Sequence, residues 1–308
     1  MPAIELQPSP DYKTAAHSSN TRRAYASDLK HYSQAGYRLP AKPEELTDYL
    51  KHSGFQYNPR TIKRRLVALR AWHIQHNHPD PTTDNQVRQT MQGIARTHGT
   101  PKKQAAALRL KDLEHMLLYL DKNPSLIHSR DHALILLGFF GAFRRSELVN
   151  LTWQDIEFVT EGMIINVRHS KTDQEQEGML CVIPFGNKKL CPVRSLMTWR
   201  SLSGVISGPV FRRISKSGRV LLQPLSAHYV NLRLRVVAKA AGLVYAAEVT
   251  AHSLRRGFAT ESSRLGASMP AIKRHGRWRS TKTVVEYIEA GRQFADSAVK
   301  VMFAGGES

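Results

Sequence analysis

Residues 252–287 bring together side chains that could carry out chemistry on a phosphate group. They carry an imidazole, a guanidinium, an indole N–H and a phenol: His252, Arg255, Trp278 and Tyr287. The first two are three residues apart, so on a helix they share one face. Arginine offers a fixed charge and planar donors for phosphate oxygens, and tyrosine can act as a covalent nucleophile. With a second guanidinium from Arg144, the set could hold a phosphodiester and attack it.

The order and spacing of these residues resemble the tyrosine recombinases of the phage-integrase family. In that family an Arg-x-x-Glu precedes a His-x-x-Arg, then a His or Trp, and the nucleophilic Tyr nine residues later. The matching segments here are Arg144-Arg-Ser-Glu147, His252-Ser-Leu-Arg255, Trp278 and Tyr287. Trp278 stands where most members carry His. A Trp at this position makes the catalytic block Cre-like. Each short motif alone is weak, but the ordered set is specific.

The resemblance implies a role for each residue. Arg144 and Arg255 would bind the nonbridging oxygens with help from the Trp278 indole, while His252 would assist proton transfer or bind the phosphate. Tyr287 would form a 3′-phosphotyrosyl link that another strand's hydroxyl can reverse through a Holliday junction. Glu147 would orient the arginines, and Lys171 matches the family's hairpin lysine, a candidate general acid for the 5′ oxygen. The scheme needs no metal, cofactor or ATP.

The elements around these residues predict a mainly α protein with a small β-sheet. Helices are predicted from Ser19 or Asn20, from Pro43, from Asn58-Pro59 and from Thr83 to Thr97, after a flexible tail at 1–18. These residues, 19–99, resemble the all-α core-binding domain of the family. A linker at 100–107 would join it to an α+β catalytic domain at 108–308, which would form a two-domain DNA clamp.

The second domain is predicted to carry several helices and one β-hairpin. Expected helices cover 111–120, 130–142, a short one with Arg144 and Glu147, 192–203, 225–241 and 292–303. Two β-branched, apolar segments, 163–167 and 179–183, predict strands across a polar turn. A Gly/Ser/Arg-rich segment around 215–219 is predicted to be a loop.

The charge of the chain favours a polyanionic partner. Forty-five Lys and Arg against 25 Asp and Glu give a net charge of +20 and a pI near 10.2, as expected for nucleic-acid binding. Candidate DNA contacts are Lys63, Arg64 and Arg65 on one helix, although a solvated helix face has the same pattern, and Lys102 and Lys103 in the linker. The resemblance implies double-stranded DNA with paired inverted half-sites, bound on two sites by a homotetramer.

Several classes of protein and site are disfavoured by the sequence. Two cysteines, Cys181 and Cys191, do not make a disulfide framework. The longest apolar run, 133–143, is shorter than a membrane span of ~20 residues, and no secretory signal begins the chain, so a cytoplasmic protein of a bacterium, phage or plasmid is expected. The histidines at 73, 76 and 78 lack a carboxylate or Cys at ligand spacing and predict an exposed helix end.

Two alternatives to a recombinase remain open from the sequence. One is a type IB topoisomerase-like or telomere-resolving enzyme, which uses the same cleavage chemistry without exchanging partners. The other is a non-catalytic DNA-binding protein of the same fold. Singly, each motif residue has an ordinary structural reading, such as a core tyrosine, a helix-end arginine pair or a buried histidine.

Overall fold

Two compact units make up the chain. The computed structural model describes residues 19–101, 105–168, 178–292, 297 and 299. The first unit is Met1–Lys103 and the second is Gln104–Ser308, so the boundary falls inside the predicted linker. Each unit has a hydrophobic core of its own.

In the first unit, the described residues 19–101 form four α-helices and one 3₁₀ turn. The helices are α1 (Ser19–Gln34), α2 (Pro43–Gln56), α3 (Pro59–Gln75) and α4 (Asn85–His98), with the turn at Pro81–Thr83. Asn58 caps α3 by accepting from the Arg60 amide at 3.0 Å, and Asp84 caps α4 by accepting from the Gln86 amide at 2.7 Å. These caps satisfy N–H groups that have no partner inside a helix. The four predicted helices are confirmed.

The described residues of the second unit are mainly helical and form two small antiparallel sheets. Its helices are α5 (Leu110–Lys122), α6 (Leu126–Phe140), α7 (Arg145–Asn150), α8 (Pro192–Ser203), α9 (Ala227–Ala240), α10 (Ala251–Arg264), α11 (Met269–His275) and α12 (Thr281–Arg292). Its strands are β1 (Ile156–Val159), β2 (Gly162–Val167), β3 (Met179–Pro184), β4 (Arg212–Ile214) and β5 (Val220–Pro224). Short 3₁₀ turns cover Trp153–Asp155 and Ala246–Glu248.

The predicted β2–β3 hairpin is present, with Met163 opposite Ile183 and Ile165 opposite Cys181, all four buried. Residues 169–177, between the two strands, lie outside the described residues. The sheet also contains β1, which pairs with β2, and the sequence prediction missed this strand. The segment around 215–219, predicted as a loop, is the turn of the β4–β5 hairpin. The sequence prediction missed the two strands that flank this turn.

The apolar helix α6 forms the centre of the second core. Every residue from Ala133 to Phe139 is buried, as the apolar sequence predicts, and the helix packs against α8 and α10. Gly138 allows the close approach to α10, because a Cβ there would lie 2.7 Å from Leu254 Cδ1. Among the described residues, no helix is long and apolar enough to cross a membrane.

A separate small cluster joins α10, α11 and α12. Its buried members are Ala142, Ala259, Ile272, Trp278, Val284 and Tyr287. Two predicted site residues, Trp278 and Tyr287, are therefore held by packing as well as by polar contacts. The cluster packs α12 against α10, the helix that carries His252 and Arg255.

Candidate active site

Helix α10 presents His252 and Arg255 close to its first turn. The Ser253 hydroxyl accepts from the Thr250 amide at 3.1 Å, and the side-chain Oδ1 of Asn231 on α9 accepts from the Ala251 amide at 3.0 Å. These contacts satisfy amides at the helix start. They also fix where the helix begins, so His252 and Arg255 lie on successive turns facing one cavity.

Arg144 lies in the tight turn between α6 and α7. Ala142 in this turn has a left-handed φ of 46°, and its carbonyl accepts a hydrogen bond from Arg255 Nη1. The buried Glu147 accepts from the Arg144 amide at 2.9 Å and from Arg144 Nη1 at 2.6 Å. The turn therefore orients both predicted catalytic arginines through Ala142 and Glu147.

The Glu147 carboxylate stays ionised despite its burial. Burial raises the pKa of this carboxyl, but the charges of Arg277 and Arg144 and the hydrogen bonds from Arg144 outweigh it, so the pKa lies below its usual value. An acceptor-only carboxylate between two guanidiniums orients both of them. The predicted orienting role of Glu147 fits this geometry.

Arg255 is a buried cation with an unpartnered donor. The residue is 3% exposed and its guanidinium carbon lies 4.2 Å from the Trp278 ring centroid. Its Nη2 is buried and makes no hydrogen bond to any residue that the structure describes. Burial, and then the charge of Arg144, lowers the pKa of Arg255 to about 9, which leaves it charged at neutral pH. A buried donor without a partner is costly, so this position favours an anionic ligand.

The Tyr287 hydroxyl lies 3.1 Å from His252 Nε2. The Tyr287 residue is 6% exposed, and the guanidinium carbon of Arg256 lies 5.6 Å from its ring centroid. Burial raises the pKa of Tyr287, although Arg255 and Arg256 act in the opposite direction. The phenol is therefore protonated at neutral pH, with an imidazole nitrogen in reach of its proton.

Trp278 packs against two other predicted site residues, Arg255 and Tyr287. Its ring centroid is 6.0 Å from that of Tyr287, at an interplanar angle of 66°. Gly276 makes room for the indole, because a Cβ on Gly276 would lie 1.7 Å from a Trp278 ring carbon. The contacts of the indole with Arg255 and Tyr287 make it a wall of the site.

An open cavity of about 450 Å³ connects these side chains. Its lining consists of Phe143, Arg144, Arg145, Asn231, Thr250, Ala251, His252, Arg255, Trp278, Thr283 and Tyr287. Five of the six predicted catalytic residues thus meet around one space. The sixth, Lys171, lies outside the described residues, as do Lys102 and Lys103.

Sequence reasoning missed several residues at this site. Arg145 and Asn231 line the cavity, and the buried Arg277 contacts Glu147 with Nη2 at 3.2 Å. Arg277 directly precedes Trp278, and this position next to a predicted site residue was the signal from which its role could have been found. His275, to which no catalytic role was assigned, contacts the Phe140 carbonyl through Nε2 at 2.7 Å.

The three predicted DNA contacts on α3 differ in exposure. Lys63 and Arg64 are exposed, and Arg64 pairs with the buried Asp28 at 2.7 Å. Arg65 is buried, with its guanidinium carbon 4.0 Å from the Tyr57 ring centroid. The Arg65 guanidinium stacks on Tyr57 inside the first unit, so the structure gives Arg65 a place in the core of that unit.

The histidines at the end of α3 do not all follow the prediction. His73 is fully buried, with its Nδ1 2.8 Å from the Leu69 carbonyl and its Nε2 accepting from the Ala41 amide at 2.9 Å. Exposure was therefore the wrong expectation for His73. His76 and His78 stack on Trp72, at centroid distances of 4.2 Å and 5.6 Å. Among the described residues, no group of three or more His, Cys, Asp or Glu side chains could hold a metal ion.

Comparison with known proteins decides the family. The sequence pattern described as the phage integrase family matches residues 106–293, which include every element of the site. The chain belongs to the phage integrase family. It is a site-specific recombinase of the tyrosine class.

Two curated relatives illustrate the similarity of this recombinase to family members. An integrase/recombinase XerD homolog of Selenomonas ruminantium is 36% identical, covering 93% of this chain and 86% of the relative. The recombinase Cre of Escherichia phage P1 is 26% identical, covering 81% of this chain and 76% of Cre. Both matches extend well beyond the motif residues.

Solved structures share the fold of the recombinase. XerH bound to a palindromic difH substrate superposes with a TM-score of 0.67 at 18% identity, covering 94% of this chain and 82% of XerH. A lambda integrase dimer bound to a COC′ core site gives 0.62 at 18% identity, covering 90% and 73%. At this identity, the likeness establishes the mainly helical fold with its small sheet.

Proposed function

We propose that this recombinase cleaves and rejoins double-stranded DNA at paired inverted half-sites through a 3′-phosphotyrosyl intermediate on Tyr287. Four copies on two DNA sites exchange strands through a Holliday junction. Relatives support the assembly: a lambda integrase tetramer of similar fold, with a TM-score of 0.60, is described bound to a Holliday junction.

One observation carries the proposal. The buried Arg255 Nη2 has no hydrogen-bond partner in the described part of the chain, while Arg255 lines the same cavity as the Tyr287 phenol and His252. A nonbridging phosphoryl oxygen would accept from that donor and offset the positive charge that Arg144 and Arg255 place side by side. A nucleophile, its proton acceptor and a phosphate clamp thereby share one space.

The cleavage step follows from these contacts. The Tyr287 oxygen attacks phosphorus in line and its proton passes to His252 Nε2, 3.1 Å away. The bond from phosphorus to the 5′ oxygen breaks, and that oxygen takes a proton to leave as a 5′-hydroxyl. We assign this proton to Lys171, the hairpin lysine that the family resemblance indicates. Arg144 and Arg255 stabilise the charge on the phosphoryl oxygens, and Trp278 closes the wall beside them.

The reverse step needs no energy source. The phosphotyrosyl bond conserves the phosphodiester, so a 5′-hydroxyl from another strand can attack it and release Tyr287. When the attacking 5′-hydroxyl belongs to a partner strand instead of the original strand, the reaction is a recombination. A topoisomerase-like enzyme would return the same strand, and this difference separates the two activities experimentally.

DNA contacts outside the cavity complete the proposal. Lys63 and Arg64 have exposed side chains on α3 and would bind phosphates, with Lys102 and Lys103 along the backbone. Neutralising each phosphate contributes to affinity in a salt-dependent way. The net charge of +20 suits this partner.

The proposal is tested with DNA sites selected from random sequence by the protein itself. On a nicked suicide duplex of the selected site, the native protein should accumulate a covalent adduct at the 3′ side of the break. On two such sites in one plasmid, it should yield recombinant products through four-way junctions. Relaxed plasmid without recombinants would favour the topoisomerase-like activity, and binding without any adduct would favour a non-catalytic protein.

The His252→Gln variant tests the proton acceptor. Because burial raises the pKa of Tyr287, the neutral phenol needs a base, and its removal should slow adduct formation by about 10²–10⁴-fold at pH 7. Below the phenol pKa, the deprotonated fraction rises about tenfold per pH unit. The variant's cleavage rate should therefore rise more steeply between pH 7 and 9 than the native rate. Parallel pH profiles would show that His252 does not take this proton.

A further inference from the structure

Arg277 is the most completely buried cation beside the active site. Its side chain and that of Glu147, with which it pairs at 3.2 Å, are both 0% exposed. An enclosed guanidinium is tolerated only where carbonyls and carboxylates surround it. No role in the cleavage step uses Arg277, because a side chain without solvent exposure cannot touch DNA.

The contacts of Arg277 reach three segments of the site. It donates from Nη1 to the His275 carbonyl at 2.9 Å, and from Nη2 to the Gly141 carbonyl at 3.0 Å, the Ala142 carbonyl at 3.4 Å and Glu147 Oε2 at 3.2 Å. Its guanidinium carbon lies 4.7 Å from the Phe143 ring centroid. The residue therefore ties the loop before Trp278 to the turn before α7.

Two of these acceptors are shared with catalytic arginines. Glu147 also accepts from Arg144 Nη1 at 2.6 Å, and the Ala142 carbonyl also accepts from Arg255 Nη1. Arg144 in turn donates from Nη2 to the Arg277 carbonyl at 3.3 Å. Each proposed phosphate-binding arginine thus shares an acceptor with Arg277.

The backbone of Arg277 is held in an unfavourable conformation. Its φ of 57° lies in the left-handed region, which favours glycine. Such a conformation persists only where surrounding contacts impose it. The buried guanidinium supplies those contacts, and the conformation sets the direction in which the chain delivers Trp278.

We propose that Arg277 is a positioning residue that pre-organises the phosphate clamp. It fixes Glu147 and the Ala142 carbonyl, through which it orients Arg144 and Arg255, and it fixes the loop that carries Trp278. Without Arg277, the Glu147 carboxylate loses that guanidinium and moves toward the guanidinium of Arg144. Displacing a clamp by about 1 Å lowers the cleavage rate by about 10²-fold. This inference rests on the proposed cleavage at Tyr287.

The test compares Arg277→Met and Arg277→Lys on the nicked suicide duplex. The Met variant retains most of the side-chain volume without the donors, and should form adduct about 10²-fold more slowly than native protein. The Lys variant keeps the charge beside Glu147 and should recover part of the rate. DNA affinity, measured with each change in a Tyr287→Phe background, should match that of Tyr287→Phe alone, since Arg277 does not reach DNA.

Arg130→Met serves as the matched control. Arg130 is another fully buried arginine of the second unit, paired with Asp131 at 2.7 Å and absent from the cavity lining. Thermal unfolding gives a temperature at which all variants are folded, and there Arg130→Met should cleave at nearly the native rate. A native rate for Arg277→Met, or equal losses for Arg130→Met and Arg277→Met, would overturn the inference.

A double-mutant cycle keeps the test decisive if Arg277→Met folds poorly. Glu147→Gln and Arg277→Lys, combined, should slow cleavage less than the product of their separate effects, because both act through one contact. Strictly multiplicative losses would contradict the inference. Absence of adduct with the native protein would instead remove the proposed function itself, so the two failures are distinguishable.

Discussion

Tyr287→Phe is expected to abolish covalent protein–DNA adducts while leaving DNA binding intact. The substitution deletes only the hydroxyl, so no oxygen remains to attack phosphorus. The ring stays packed against Trp278 in the small cluster that joins α10, α11 and α12. Losing the hydrogen bond with His252 should cost about 1 kcal/mol of the free energy of unfolding. The measurements are adduct yield on the suicide duplex and affinity by gel shift.

A matched control comes from Tyr119→Phe on α5. This tyrosine lies in the same unit but does not line the cavity, so its variant should form adduct like native protein. Adducts formed by Tyr287→Phe would show that another residue is the nucleophile. Loss of DNA binding by that variant would show that the hydroxyl contributes to affinity rather than to chemistry alone.

Substitutions of the two clamp arginines are expected to separate cleavage from binding. Arg255→Gln removes a buried cation whose free donor suits a phosphoryl oxygen, and should slow adduct formation by about 10³-fold. Arg144→Gln should have a similar effect. Both losses arise because negative charge develops on the phosphoryl oxygens during the reaction, and these guanidiniums stabilise that charge.

Lys63→Ala and Arg64→Ala provide the contrast on α3. Their exposed side chains would bind phosphates of the DNA, so each substitution should lower affinity. The dependence of affinity on log salt concentration should decrease by about one unit for each phosphate that is no longer neutralised. At saturating protein, adducts should form at nearly the native rate. Equal losses of cleavage from all four substitutions would contradict this division of roles.

Most helices could be predicted because their signals are local. Asn58-Pro59 starts α3 and the apolar run from Ala133 forms α6, since capping side chains and apolar periodicity act within a few residues. The short strands β1, β4 and β5 were missed. A segment of three to five residues becomes a strand only when a neighbouring strand supplies its hydrogen bonds. The turn at Gly218, which the sequence prediction treated as a loop, brings β4 and β5 together.

The misassigned polar residues share one cause. Arg65 and His73 occupy helix positions that look solvent-exposed, but the fold gives them buried partners: the Tyr57 ring, and the Leu69 and Ala41 backbone. Most buried polar groups in folded proteins find such partners. Whether partners exist at that place depends on how helices pack, which residue type alone does not reveal.

The sequence by itself determined the family and the chemical types at the site, because residue order and spacing are properties of the chain. It predicted Arg144, His252, Arg255, Trp278 and Tyr287 as site residues before any fold was known. Only the tertiary structure decided that these side chains line one cavity and that Arg277 lies buried between Glu147 and the turn at Ala142. The reason is physical: distances and burial arise from packing between α6, α10, α11 and α12, and α6 lies far along the chain from the other three.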